Sequence, residues 1–398
     1  MKIWLCALAD LSRDSGPSSH LRAQIDGFRE RGHDVTAFVS APAPSGFVDP
    51  AVVFVPRPAL PTRRMRYASE LASFQLGLLA RMFARGRETG RPDVLLARHD
   101  VAQVAAVSAA RGLGVPVVSE INGSLRYELS IAGSGPRAIA TIEALERFAY
   151  RCSRRIIAVS EGIADHLVRD LGVDPERVRV CRNGTDVATM AGGDGRALRQ
   201  RIGAGPREVV IGYVGGFQPH QGVRELVEAF GCLAERNEAL RLLLVGDGPC
   251  AREVRSRLEA APWAKRATFL GPVPRGEVPD CLAAMDICTV PRFDPRPAGR
   301  QSGTPAGSPL KLFEALAAGR PVLAGPLPDL RLVEKIGAGI CADTSTPAAI
   351  AEALEGLCAD EGQRAQMGRA GRCWALEHGS WEAAMDRVEA VLREAVTP

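Results

Sequence analysis

At 398 residues the chain exceeds a single ordinary core, and at roughly 150 residues per domain it divides into two domains or three. A hydrophobic content of 46% with 24% charged residues excludes a disordered chain, while a net charge of only +4 and 5% aromatics argue against a nucleic-acid surface. Ten cysteines without a Cys-x-x-Cys pair or a Cys/His cluster argue against a zinc site. Cys6, Cys181 and Cys288 fall in apolar runs, as reduced core residues of a cytoplasmic protein do. No apolar stretch reaches the roughly 20 residues that span a bilayer.

Taken in chain order, short apolar runs alternate with amphipathic segments. In the first half the runs are Ile3–Ala9, Val35–Val39, Val52–Val55, Val94–Ala97, Val115–Ser119, Ile156–Val159 and Val178–Cys181. Helical patterns at Leu21–Arg31, Tyr67–Arg85, Val101–Arg111, Arg137–Cys152 and Gly162–Leu171 separate them. Near-continuous apolar runs suit parallel strands buried on both faces, and the intervening helices imply right-handed crossovers in a doubly wound sheet. Residues 188–207 are glycine-rich and lack strand pattern, which predicts a linker between domains 1–187 and 208–375. A second series follows: strands Val209–Val214, Leu242–Val245, Ala267–Leu270, Ile287–Val290, Pro321–Ala324 and Gly339–Ala342. Its helices are Val223–Arg236, Arg252–Ala260, Val278–Met285, Pro309–Ala318 and Pro347–Leu357, before a long helical tail, Arg364–Val396. Ligands of open α/β sheets bind outside the strand carboxyl ends, so a cleft between the two domains is the expected site.

The most informative stretch is Gly299–Pro321, GRQSGTPAGSPLKLFEALAAGRP. Glycines 299, 303 and 307 make a loop, Ser308 is a candidate cap, and Pro309 and Leu310 open a helix. Free N–H groups there, with Lys311 in the first turn, suit an anion such as a phosphate. The chain has only four lysines among its 50 basic residues, so Lys311 is not filler. Glu314 lies one turn deeper on the same face, a carboxylate for sugar hydroxyls; a plain capped helix would carry the same residues. Gly215 and Gly216, in VVIGYVGGFQPHQG, end a strand and admit close backbone approach, with His220 and Gln221 following. Gly246 and Val273 end the next two strands. In the first half Gly16 and His20 (SGPSSH) follow strand one, His99 and Asp100 end the fourth, and Glu120 and Asn122 end the fifth. No G-x-x-x-x-G-K-[ST], H-E-x-x-H or G-x-S-x-G is present, and no G-x-G-x-x-G follows the first strand.

Six stretches in order resemble the retaining glycosyltransferases of family 4: Arg29–Val39, Ile156–Ala164, Val180–Asp186, Ile211–Phe230, Leu243–Pro249 and Ser308–Val322. The resemblance implies an α/β GT-B fold: two Rossmann-like, doubly wound domains facing an interdomain cleft, with a last helix (376–398) crossing back to the first domain. It implies a nucleotide-sugar donor, UDP-linked by expectation, on Gly215, Gly216, His220, Gln221, Gly246, Val273, Gly307, Ser308, Pro309, Leu310, Lys311 and Glu314. Lys311, Glu314 and Asn122 would serve the chemistry, and Gly16, His20, His99, Glu120 and Asn122 the acceptor side. Glu314 matches the second Glu of an E-x7-E motif, whereas Ala306 stands where the first belongs. Gly216 stands where Arg is common, Gln221 near a usual Lys, and Asn122 at a frequent His.

The implied reaction needs neither metal nor resident cofactor, only the nucleotide sugar as co-substrate, with closure across the 188–207 linker assembling the site. The expected partners are small molecules: that donor and a polar acceptor such as an aminocyclitol of an antibiotic pathway. Asp14, Glu70, Asp100, Glu120 and Glu128 are the acidic candidates to recognise the acceptor. The alternative acceptor is a membrane glycolipid or surface polysaccharide intermediate. Arg63, Arg64 and Arg66 precede Leu71, Phe74, Leu78 and Phe83, with Arg81, Arg85 and Arg87 behind. Ala306 leaves a third possibility, a nucleotide-sugar-binding protein that no longer turns over, and a fourth, an epimerase on the same fold.

Overall fold

A computed structural model describes residues 1–11, 16–40, 49–56, 66–98, 103–131, 133–295 and 307–397. His99, Asp14, Asp100, Gly299, Gly303 and Ala306 lie outside them, as do Arg63 and Arg64, and nothing is described of the side chains of Arg66, Glu70 and Leu71.

The chain forms two compact units. The first holds Met1–Asn183 and Ala384–Pro398, around β1 (Lys2–Ala7), β2 (Asp34–Ser40), β3 (Val52–Val55), β4 (Val94–Arg98), β5 (Val117–Ile121), β6 (Arg155–Ala158) and β7 (Val178–Val180). The order is β3-β2-β1-β4-β5-β6-β7, every pair parallel, with Ile3 registered on Val35 to one side and Val94 on the other. Both faces are covered, as continuous Val/Ile/Leu runs require. Trp4 and Cys6 point into a core with Phe38, Phe74 and Leu78, whereas Ile3, Leu5 and Ala7 point into another with Leu21, Ile25 and Phe28. Burial of each large apolar side chain stabilises by ~1.5–3 kcal/mol.

The second unit holds Gly184–Gly299 and Ser308–Ala383. Its strands are β8 (Val209–Val214), β9 (Leu240–Val245), β10 (Ala267–Gly271), β11 (Ile287–Val290), β12 (Val322–Ala324) and β13 (Gly339–Cys341), in the parallel order β10-β9-β8-β11-β12-β13. In each sheet the winding reverses beside the first strand, between β1 and β4 and between β8 and β11. Those switch points leave a crevice at the strand carboxyl ends.

One expectation needs correction. Residues 188–207 are not a free linker: helices Val187–Ala191 and Arg196–Arg201 occupy much of the stretch, and Met190, Ile202 and Ala204 are buried in the second unit's core. Two of its glycines serve close packing, because a Cβ on Gly193 or Gly195 would fall 2.2 Å from the Pro279 carbonyl oxygen or 2.3 Å from the Ala284 nitrogen. The tail is two helices, Glu361–His378 and Trp381–Val396, broken where Ser380 bridges to Thr185. The first packs in the second unit, and the second buries Met385, Val388, Val391 and Leu392 in the first unit's core.

Candidate functional site

The second unit's switch point is built from the turn after β8 and the segment after β11. Tyr213, the penultimate residue of β8, is buried, and its hydroxyl donates to the Gly216 carbonyl at 2.7 Å. The hydroxyl oxygen also accepts from Lys311 Nζ at 2.7 Å, and the ammonium lies 4.3 Å from the ring centroid. Lys311 Nζ donates further to Gln221 Oε1 at 2.8 Å. Two of its three N–H groups are thus engaged and one is left for a ligand. Burial, reinforced by Arg292 and opposed by Glu314, pushes the lysine down to about 7. Gln221 turns its amide nitrogen to His220 Nε2 at 3.3 Å. That geometry requires the imidazole nitrogen to accept, so the ring is neutral, and burial with Arg292 and Lys311 lowers its pKa to about 4.

Glycine at 215 makes this arrangement possible. Its φ is 144°, and a Cβ there would lie 2.8 Å from Lys311 Nζ. The Gly215 N–H donates to Val245 and the Phe217 N–H to Asp247, at 2.9 and 2.8 Å, which stitches the β8 turn to the β9 turn. Gly246 belongs to that second turn, where a Cβ would meet the Gly215 carbonyl oxygen at 1.9 Å.

Lys311 rides on the Leu310–Ala317 helix, whose buried residues Leu312, Phe313, Ala315 and Leu316 tie it to the core. Ser308 is not the cap residue: Pro309 is, and it makes no side-chain cap hydrogen bond. The preceding Gly307 is buried, while Ser308, Pro309 and Leu310 are half-buried. Glu314 lies on the same helix, buried, with Arg275 Nη1 3.1 Å from its Oε1. The expected carboxylate for sugar hydroxyls therefore already has a cationic partner, which fixes its orientation. Val273, beside Arg275, is half-buried against the core, and Gly216 is exposed in its turn.

The first unit carries its own polar cluster, at the ends of β4 and β5 and on the Gly16–Glu30 helix. Glu120 is buried, accepting from Asn122 Nδ2 at 2.9 Å and from the Gln24 amide, with His20 Nε2 3.6 Å away. Burial opposes its charge, but His20, Arg98 and the hydrogen bonds from Asn122 and Gln24 outweigh that and hold the carboxyl below its ordinary range. His20 is buried, not exposed at the helix start, and burial lowers its pKa to about 4 against the attraction of Glu120. Gly16 is exposed at the first position of that helix, and Arg98 Nη1 donates to the Pro17 carbonyl at 2.8 Å. Ser124 holds the loop beyond Asn122: its Oγ lies 3.1 Å from His166 Nε2, and His166 Nδ1 lies 2.6 Å from Asp170.

Sequence reading missed Tyr213, Arg275, Arg292 and Gln24. Tyr213 sits inside an apolar strand pattern, and each arginine is one of 46. Among the described residues no group of three His, Cys, Asp or Glu is placed to hold a metal, and no helix is long and apolar enough to cross a membrane.

Residues 15–189 match the family described as Glycosyltransferase Family 4, and residues 208–360 match Glycosyl transferases group 1. A D-inositol 3-phosphate glycosyltransferase of Corynebacterium efficiens is 32% identical over 257 residues, 61% of this chain and 57% of that protein. The chain thus spans little more than half the length of that relative. A 2-deoxystreptamine glucosyltransferase of Streptomyces kanamyceticus is 28% identical over 349 residues, 84% of this chain and 86% of that one. Anabaena HepE, solved in complex with UDP, shares the fold with a TM-score of 0.74 at 19% identity, covering 99% of this chain and 100% of its own.

Proposed function

The chain belongs to the Family 4 glycosyltransferases, and from that premise we propose that it is a retaining enzyme of GT-B fold. The reaction moves a hexose or aminohexose from a UDP-sugar to a hydroxyl of a small polar acceptor of the aminocyclitol class. The observation that carries the reading is the Lys311 ammonium, held at the second sheet's switch point on Tyr213 and Gln221 with an N–H to spare. UDP as carrier is supported by the UDP complex of HepE, and the acceptor class by the 2-deoxystreptamine glucosyltransferase.

In this reading Lys311, the N-terminus of its helix and the backbone at Gly215 and Gly216 stabilise the charge that develops on the leaving diphosphate, in a site screened from water. Glu314, oriented by Arg275, accepts from the ribose hydroxyls. The acceptor oxygen attacks from the face the diphosphate leaves, and the departing phosphate oxygen takes its proton. Asn122 contacts the donor sugar, while Gly16, His20, His99 and Glu120 serve the acceptor. A buried anionic Glu120 suits an aminocyclitol ammonium.

Incubation of the purified chain with UDP-sugars and an aminocyclitol panel is expected to release UDP only when donor and acceptor are both present. Lys311→Ala and Glu314→Ala are expected to lower the rate at least 100-fold while the far-ultraviolet circular dichroism is unchanged. Full activity in either variant refutes the assignment, and UDP binding without turnover across the panel favours a binding protein. A membrane acceptor is the second reading, favoured by one observation: Leu76 is 70% and Phe83 36% exposed on the Arg66–Thr89 helix, which also carries Arg81, Arg85 and Arg87. Sedimentation with anionic vesicles at low salt supports it, and no binding removes it.

A further inference from the structure

The segment after β11 delivers a second cation to the same place. The Phe293 N–H donates to the His220 carbonyl at 3.2 Å. The Pro291 carbonyl oxygen lies where a Cβ on Gly222 would be only 2.0 Å away. Arg292, between them, is therefore pinned beside the Pro219–Gly222 turn that carries Gln221. Its own N–H is tied back to Val290 at 2.8 Å, which fixes the backbone from which the side chain leaves. The guanidinium has no ion pair among the described residues, and Nε is buried with no hydrogen-bond acceptor. Its charge reaches both neighbours, since it helps to lower the pKa of His220 and of Lys311.

Structural arginines in this chain look different. Arg199 is bonded to Asp286 and to the carbonyls of Ala284, Gly205 and Glu208, and Arg177 to two carbonyls. Arg292 has none of these partners. Two cations thus face one crevice, and Glu314, the carboxylate that acts on Lys311, is already held by Arg275. An unfilled guanidinium fork beside an ammonium with an N–H to spare matches two linked phosphates, because a fork takes two oxygens of one phosphate and a point charge takes the next.

We propose that Arg292 and Lys311 form a two-point clamp for the diphosphate of the donor, with the guanidinium on one phosphate and the ammonium on the other. The clamp rests on the nucleotide-sugar reading for its biological ligand, but its chemistry needs only a diphosphate. The test is calorimetric titration of the full chain, as wild type, Arg292→Gln and Arg292→Lys, with UDP, uridine and inorganic pyrophosphate. Arg292→Gln is expected to lose 10- to 100-fold in affinity for UDP and for pyrophosphate, with uridine changed less than threefold. Arg292→Lys, which keeps the charge and loses the fork, is expected to recover part of that loss. A melting temperature within a few degrees of wild type establishes that the variants fold. UDP bound equally well by wild type and Arg292→Gln overturns the clamp and leaves the donor reading intact. Pyrophosphate binding that depends on Arg292, in a chain that ignores UDP, upholds the clamp and overturns the donor reading. A wild-type chain that binds neither overturns both.

Discussion

Lys311 is the central residue of the proposed donor site, and its environment makes a directional prediction. The ammonium faces Arg292 and Glu314, charges of opposite sign, and the neutral groups Tyr213, Gln221 and His220. Burial and Arg292 place its titration near neutrality, at about 7. A lysine is charged below its pKa, so the clamp loses one of its two charges as pH rises through that value. UDP affinity is expected to fall by up to about tenfold per pH unit between pH 7.5 and 9. His220, lowered to about 4, is neutral across the window. Calorimetry at several pH values checks this: Lys311→Met should give a flat, weak profile. A wild-type profile that is equally flat would remove Lys311 from the anion site. At this scale the sequence was half legible. Lys311 stood out because lysine is scarce here, whereas Arg292 carries the same charge among 46 arginines and no local pattern separates it from them. Tyr213 was invisible for a different reason: an aromatic in an apolar strand reads as core, and the ring is indeed buried, while its hydroxyl and one ring face meet the lysine.

At the scale of elements, the site is a turn, a helix and a loop held in register by a missing side chain. Gly215 gives the β8 turn a φ of 144° and leaves the space that Lys311 Nζ fills. Gly215→Ala combines backbone strain of about 1–3 kcal/mol with displacement of the ammonium. The expected result is a loss of at least tenfold in UDP affinity, with a melting temperature lowered by a few degrees, checked by titration and calorimetric melting. An unchanged affinity would mean that Lys311 does not act from its observed position. The glycines of 188–207 show why composition misled at this scale. Glycine marks both a chain that bends and a chain that packs closely, and only the partner backbone at Pro279 and Ala284 distinguishes the two. The cap went the same way: Ser308 before Pro309 has the spelling of a helix start, but the backbone enters the helix at Pro309. Glu314 was expected on the lysine's face, one turn deeper, but its partner Arg275 comes from the short turn after β10, 39 positions back, and sequence spacing carries no trace of that pairing.

For the whole molecule, the apolar runs located the 13 strands of the described residues to within two residues at most ends, because strands buried on both faces leave little freedom in composition. The parallel order followed from the helices between them. What the runs did not contain was the split of the final helix away from its predecessor. Residues 384–396 of that helix complete the first unit: Met385, Val388, Val391 and Leu392 cover Leu21, Ile25 and Phe28, and Arg31, His33 and Arg155 pair with Asp386, Glu389 and Glu394. Truncation after Ser380 exposes that apolar face, at ~1.5–3 kcal/mol for each large side chain uncovered. The truncated chain is expected to lose the first unit's thermal transition, or to show it at least 10 °C lower, while UDP binding by the second unit persists. Calorimetric melting with and without UDP measures both, and an unshifted transition would contradict the packing.

That closing helix also has a bearing on biosynthesis. A nascent polypeptide could assemble its first seven strands long before residue 384 leaves the ribosome, but the groove over Ile25 and Phe28 would stay open through the synthesis of some 200 further residues. The amino-terminal half must therefore wait, half-finished and sticky, for the far end of the message, and chaperone demand should be greatest in that interval.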